Sequence, residues 1–351
     1  MKRINSIQHV GVAVQNIDES LKFYRAIFGM NIPFFDSIQP APLMDVYTHN
    51  KTITKRASMV LNLQGGCAME VIRPTSFEPR KADFQIQVGD IHIFQVHFKT
   101  NSVEKMHQHC ASQRVPELSA CVKNPLNQSI FDLQDLDGNM FRVEESQEKY
   151  HDMGHASNGV YGCSIGVTNI ENALKLYANI LGYDKILFDK TGKFEDYAHL
   201  PGGNGHFRRV RLEQSSPTGG GFAKVIGKTF IELVQALDRT PNRIFKGRIW
   251  GDSGFVHLGL DVKNMADLGA ELEEAGFGFR CDSSNALSMG KTRVHCTYID
   301  DPDGTLIECI EVYKVPIIEK WGIFLNVEKR DPLKPLPNFM LKALRFSKIK
   351  D

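Results

Sequence analysis

The sequence lacks the features that would place it in several large classes of protein. Nowhere in its 351 residues does an apolar run approach the roughly 20 residues needed to span a bilayer, which argues against a membrane protein. Charge of neither sign prevails: 42 Lys and Arg stand against 41 Asp and Glu, a formal net charge of +1. With no basic run interleaved with aromatics, neither nucleic acid nor an acidic surface is an expected partner. Cysteine is sparse and scattered, at Cys67, Cys110, Cys121, Cys163, Cys281, Cys296 and Cys309. The number is odd and there is no CxxC, which excludes a disulfide framework or zinc ribbon and points to a reducing compartment. The chain enters its first strand within a few residues, leaving no room for a signal peptide. A cytoplasmic protein is the expectation. The length suits two domains, ample for a core that needs no disulfide or metal to hold it.

What the sequence does contain is a repeat. HVGVAVQNIDESLKFYRAIFGM (His9 to Met30) and GCSIGVTNIENALKLYANILGY (Gly162 to Tyr183) register without a gap. Both read strand, Asn-Ile-acid, a helix carrying Leu-Lys-apolar-Tyr, then Gly. In the first copy Asn16 is placed to cap the helix with Glu19 three residues on, and Gly29 ends it. Ile17, Leu21, Tyr24 and Phe28 form the expected apolar stripe. Further on, LQDLDGNMFRVEE (Leu133 to Glu145) lies over YIDDPDGTLIECIE (Tyr298 to Glu311), a turn between two strands each time. Each copy divides again into strand, helix and three strands, giving four βαβββ modules at about residues 6–75, 91–146, 159–236 and 253–314. The residues fall into units 1–150, 156–315 and a basic, proline-punctuated tail, 316–351, read as packed or partly ordered rather than as a membrane-surface helix.

A tandem of βαβββ modules with HxGxxV and FY at the front and DPxGxxxE at the back resembles the vicinal oxygen chelate superfamily, which includes glyoxalase I, methylmalonyl-CoA epimerase, extradiol dioxygenases and bleomycin-resistance proteins. The likeness covers the chain to about Val315. It implies an α+β fold in which the four modules pair into two cupped mixed β-sheets with helices outside. It also implies that metal ligands come from the first and fourth strands of each module, on the inner wall of the cup.

Strand alternation sets His9, Gly11 and Ala13 on one face and Val10, Val12 and Val14 on the other. Applied position by position, the resemblance assigns His9 and Glu70 to module one and His97 and Arg142 to module two. Module three receives Gly162 and Glu232, and module four His257 and Glu308. If modules one and two pair, and three and four, both sets are incomplete. If one pairs with four and two with three, His9, Glu70, His257 and Glu308 make one full set, leaving His97, Arg142, Gly162 and Glu232 as a spoiled one. The second pairing is the more economical, as gene fusion followed by decay of one site would produce it.

Two imidazoles and two carboxylates suit one divalent first-row ion, Zn, Ni, Co, Mn or Fe, with room for substrate oxygens. Such an ion polarises a chelated carbonyl and eases removal of the adjacent proton. By resemblance to glyoxalase I, Glu308 is the first choice of catalytic base and Glu70 the second. The expected function is therefore that of a metal-dependent isomerase, epimerase or lyase acting on a small molecule, with a homodimer admitted. A glutathione thioester, a CoA ester and a small α-hydroxycarbonyl all fit as substrate. Two rivals stand beside it. One is an Fe(II) extradiol-type dioxygenase, for which His9, His97 and Glu70 would supply the ligands; Tyr298, ten residues before Glu308, has a spacing that resembles the active-site tyrosine of those enzymes but is read first as an aromatic on a strand. The other is a non-catalytic binding protein of the resistance type. Arg142 is read as pairing with Glu232 or an anionic group, and Arg208, Arg209 and Arg211 as a solvated strand face or an anion grip. The glycine-rich Ser215 to Gly227 is read as a flap over a cup rather than a phosphate cradle, and His107 and His109 as surface residues.

Overall fold

In the computed structural model, which describes residues 1–284, 287–289, 292–318, 323–328 and 330–349, the four modules appear in the expected order. Module one is β1 (Arg3–Ala13), α1 (Ile17–Phe28), β2 (Ile32–Pro40), β3 (Thr54–Leu61) and β4 (Ala68–Pro74). Module two is β5 (His92–Thr100), α2 (Val103–Ser112), β6 (Val122–Lys123), β7 (Ser129–Gln134) and β8 (Met140–Glu145). Module three is β9 (Val160–Gly166), α3 (Ile170–Tyr177), β10 (Lys185–Gly192), β11 (Phe207–Glu213), the short α4 (Ala223–Ile226) and β12 (Phe230–Ala236). Module four is β13 (Gly254–Lys263), α5 (Met265–Glu274), β14 (Cys281–Asp282), β15 (Leu287–Met289), β16 (Thr292–Asp300) and β17 (Leu306–Ile318). The tail adds β18 (Ile323–Asn326), paired on β17, and α6 (Asn338–Ala343).

The capping signals act as read. Asn16 accepts from the backbone N–H groups of Asp18 and Glu19, and Gly29 adopts the left-handed φ of 62° that closes the helix onto Arg25. The buried stripe of α1 is Ile17, Ser20, Tyr24, Ile27 and Phe28, so Leu21 sits at its margin and Ile27 replaces it. Val10, Val12 and Val14 pack with Tyr24 and Phe28 in the main core, as alternation requires.

Modules pair one with four and two with three. The first sheet runs β14-β16-β17-β13-β1-β4-β3-β2 and the second β10-β11-β12-β9-β5-β8-β7-β6. Both are mixed. β1 lies parallel to β4 and β13 parallel to β17, while β1 and β13 meet antiparallel at the centre. A triad that takes His9 and His97 together is therefore excluded, since β1 and β5 belong to different sheets. The repeated tyrosine and aspartate stitch the sheets to each other. Tyr24 donates to Asp135 at 2.6 Å and Tyr177 to Asp301 at 3.0 Å, and each aspartate also holds its own turn by accepting from backbone N–H groups. The tail packs: Leu336 and Leu341 are buried against Met59, Leu61 and Val225. Among the described residues no helix is long and apolar enough to cross a membrane, and all seven cysteines are free.

Candidate metal centre

The strands at the middle of the first sheet, in the order β17-β13-β1-β4, carry one predicted ligand each. Register places them in two adjacent rows. In one row Glu308, Gly259 and His9 lie side by side; in the other Glu70, Gly11 and His257. Each imidazole therefore reaches over a glycine to the carboxylate on the far side. His9 Nε2 lies 3.2 Å from Glu308 Oε2, and His257 Nε2 lies 3.2 Å from Glu70 Oε2. The glycines of HVG and HLG are thereby explained. A Cβ on Gly11 would stand 2.4 Å from the His257 ring, and one on Gly259 2.3 Å from the His9 ring. His-x-Gly on one strand makes room for the imidazole of the other.

The remaining separations complete a compact shell. The two Nε2 atoms are 2.9 Å apart, His9 to Glu70 is 3.7 Å and His257 to Glu308 is 3.5 Å. Neighbouring ligands around an ion at about 2.1 Å would lie about 3.0 Å apart in octahedral and about 3.4 Å apart in tetrahedral geometry, so the five measured edges straddle both. All four side chains are buried. Two carboxylates and two imidazoles converging on one point in a dry interior are costly unless a cation shares them, and the mixed N/O set suits a divalent ion. Among the described residues these four form the cluster of donors able to hold one.

The surroundings distinguish the two carboxylates. Lys55, on β3, donates to Glu70 Oε1 at 3.2 Å while resting over the Trp250 ring at 5.0 Å. Burial works to raise the Glu70 carboxyl, but the Lys55 ammonium and the two imidazoles outweigh it and hold it well below the usual carboxylate range. Glu308 is also buried and held low, by the His9 and His257 imidazoles, yet among the described residues no lysine or arginine is bonded to it. Tyr298 is the register partner of Glu308, and its ring meets that of His257 edge-on at 5.8 Å. Burial, with Glu308 and Glu70 close by, pushes its phenol well up. His9 Nδ1 meets Gln8 Oε1 at 3.2 Å, the kind of outer contact that orients a ligating imidazole.

The second cup holds ion pairs where the first holds ligands. Arg142 bonds Asp132 and Asp196, not Glu232 as its sequence position suggested. Arg209 bonds Glu232 and Asp196, and Arg211 bonds Glu232 and Glu144, at 2.7–2.9 Å. Arg209 and Arg211 are thus buried inside the sheet, neither solvated nor free to grip a ligand; Arg208, on the outer face, pairs with Asp189 and Glu171. His97 is held by Glu144 at 2.6 Å and Ser164 at 2.8 Å, and burial lowers its tendency to protonate.

His97 also does not occupy the ligand position of its module. His9, Gly162 and His257 each stand seven residues before a helix cap, at Asn16, Asn169 and Asn264. Seven before the cap Ser102 is Gln95, whose Nε2 donates to Asp132. Register agrees, since His97 pairs with Arg142 as Gly11 pairs with Glu70. The spoiled set is Gln95, Arg142, Gly162 and Glu232. At Gly162 no side chain fits, because a Cβ would meet the Phe230 carbonyl at 2.3 Å.

Two other readings meet the geometry. The glycine-rich loop is bonded into a wall of the first cup, with Gly219 N–H on the Asn5 carbonyl, Gly220 N–H on the Pro332 carbonyl, and the Leu336 N–H on the Gly221 carbonyl. His107 and His109 both meet backbone carbonyls, of Ser119 and Ala26.

Residues 6–143 match the family described as the Glyoxalase/Bleomycin resistance protein/Dioxygenase superfamily. Among solved structures, glyoxalase I from Zea mays is similar at 15% identity with a TM-score of 0.55, over 89% of this chain and 92% of that one. A mutant of the same Zea mays enzyme superposes with a TM-score of 0.56 at 16% identity, over 89% and 92% of the two chains. No curated protein matches the sequence. At such identities the structural likeness is one of fold.

Proposed function

We propose that this chain, whose residues 6–143 match the Glyoxalase/Bleomycin resistance protein/Dioxygenase superfamily, is a tandem two-domain member of it and a metal-dependent isomerase, epimerase or lyase of the glyoxalase I type. The observation that carries the proposal is the convergence of His9, Glu70, His257 and Glu308 on one point, with every pair that includes an imidazole within 3.7 Å. A divalent ion held there would polarise a chelated carbonyl and acidify the neighbouring C–H bond.

The protein's own groups divide the remaining work. His9 and His257 present their Nε2 atoms across Gly259 and Gly11. Glu70 is clamped through Oε1 by Lys55 and serves as a fixed ligand. Glu308, buried and bonded among the described residues to no lysine or arginine, is the group we assign to take the proton from carbon and return it. The units 1–150 and 156–315 are read as copies of a fused ancestor, each lending one module to each cup. The second cup keeps only a structural role, and a small-molecule substrate and cytoplasmic setting suit the whole.

The test is solvent exchange: in D2O, a protein loaded with Zn(II) or Ni(II) should wash deuterium into the α-position of a hydroxyketone, and Glu308→Gln should abolish the exchange with metal still bound. Equal exchange rates for Glu308→Gln and the parent would overturn the assignment. Tyr298 beside His257 and Glu308 favours one alternative, an Fe(II) ring-cleaving dioxygenase using His9, His257 and one glutamate. Oxygen uptake with catechols, abolished by Tyr298→Phe, would select it. A resistance-type binding protein would instead hold its ligand unchanged after loss of either histidine.

A further inference from the structure

We infer that the cup holding the four ligands takes a substrate with an apolar body, an alkyl or aryl group attached to the chelating oxygens, and not a peptide thiol or nucleotide ester; the inference rests on the reading above for its head group. A cavity of about 200 Å³ occupies the concave side of the first sheet. Its lining does not include the four ligands themselves but begins beside them on several strands. Gln8 adjoins His9, Ala68 and Ile310 lie two residues from Glu70 and Glu308 on the same faces, and Met59 is the register partner of Glu70. Beyond them Phe34, Phe35, Val312 and the tail residue Leu341 line the space.

Charge argues in the same direction. A glutathione or CoA adduct brings several anionic groups, each of which needs a cation or a cluster of N–H donors. Three cations line this cavity among the described residues, and the partly buried one is taken: Lys263 pairs with Glu311 at 3.2 Å, while Lys334, exposed, lies 3.9 Å from Asp331 and Arg330 donates to the Lys334 carbonyl at 3.2 Å. Asn5 lines the cavity, is buried, and its Oδ1 lacks a hydrogen-bond partner, which fits a single hydroxyl or amide donor on an otherwise apolar substrate.

Calorimetry on the full chain, with and without Zn(II), against hydroxyacetone, 1-hydroxyhexan-2-one, 1-hydroxyoctan-2-one and S-hexylglutathione tests this. Each buried methylene contributes up to about 0.8 kcal/mol, a factor of about four, so the octanone should bind at least about 30-fold more tightly than hydroxyacetone and more tightly than the glutathione derivative. Val312→Trp, which fills the cavity, should remove that gain while leaving metal content and hydroxyacetone affinity unchanged; Met340→Trp at the rim gives the same readout should Val312→Trp not fold. An affinity independent of chain length, or tighter binding of S-hexylglutathione, overturns the inference even where zinc is bound one to one. A steep chain-length series in a protein that retains no zinc supports the apolar pocket and fails the metal-enzyme reading instead, so the two outcomes are distinct.

Discussion

Gly11→Ala adds one methyl group to the first sheet, and the geometry gives its effect a definite sign. The new Cβ would stand 2.4 Å from His257 Cε1 and 2.5 Å from Nε2, whereas carbon atoms in contact settle near about 3.5 Å. The imidazole must therefore retreat by about 1 Å, while metal–ligand distances tolerate only about 0.2 Å. Divalent-ion affinity should fall at least about 100-fold, the upper end of what loss of an outer-sphere partner causes. Gly11 has no positive φ, so if its only property were backbone freedom, alanine would instead stabilise the strand by about 0.5–1 kcal/mol. Isothermal titration with Zn(II), alongside urea unfolding of the metal-free protein, separates the two. The decisive control is the same substitution in a His257→Ala background, which binds no ion and is read by urea unfolding alone: with the ring gone, the alanine should cost no stability. Full zinc affinity in Gly11→Ala alone, or an undiminished penalty in the double variant, would refute the view that these glycines exist to seat imidazoles.

Lys55→Met should release Glu70 Oε1 and weaken metal binding by about 10–100-fold without altering stoichiometry, read by competition with a chelating dye. Arg211→Met leaves Glu144 and Glu232 each short of a buried partner, so it should destabilise the fold by about 3–5 kcal/mol in urea titrations while the metal-to-protein ratio stays unchanged. The same network sets an acid limit. Burial tends to raise Glu144 and Glu232, but Arg211, with His97 at Glu144 and Arg209 at Glu232, holds both well below the ordinary range. Their contribution is present above the unfolded carboxylate pKa of about 4.3 and is lost as pH falls from there through the folded values, at up to about 1.4 kcal/mol per pH unit for each group. Unfolding free energies that stay flat between pH 5 and about 3 would contradict this.

Much of the architecture was legible because two periodicities coincide. The repeat locates the modules, strand alternation sets His9 opposite Val10, Val12 and Val14, and the family resemblance assigns His9, Glu70, His257 and Glu308 to the inner wall. Pairing of modules was less legible, since both arrangements satisfy the local pattern; it is the His-x-Gly spacing, with each glycine shaped by the other strand's ring, that carries the information. His97 was misplaced because a histidine attracts attention where a glutamine does not. Counting seven residues back from each helix cap would have found Gln95. Asp196 and Lys55 were invisible to strand rules, because one comes from a loop between β10 and β11 and the other from a strand that supplies no ligand. Their partners become evident only when the sheet curls.

Counting bound ions tests the central claim most directly. Elemental analysis of the full chain, equilibrated with Zn(II) or Ni(II) and freed of excess, should find one ion per chain. The ion should be lost from His9→Ala and from His257→Ala, and retained by His97→Ala. Two ions per chain, or one that survives loss of His257 but not of His97, would contradict the account.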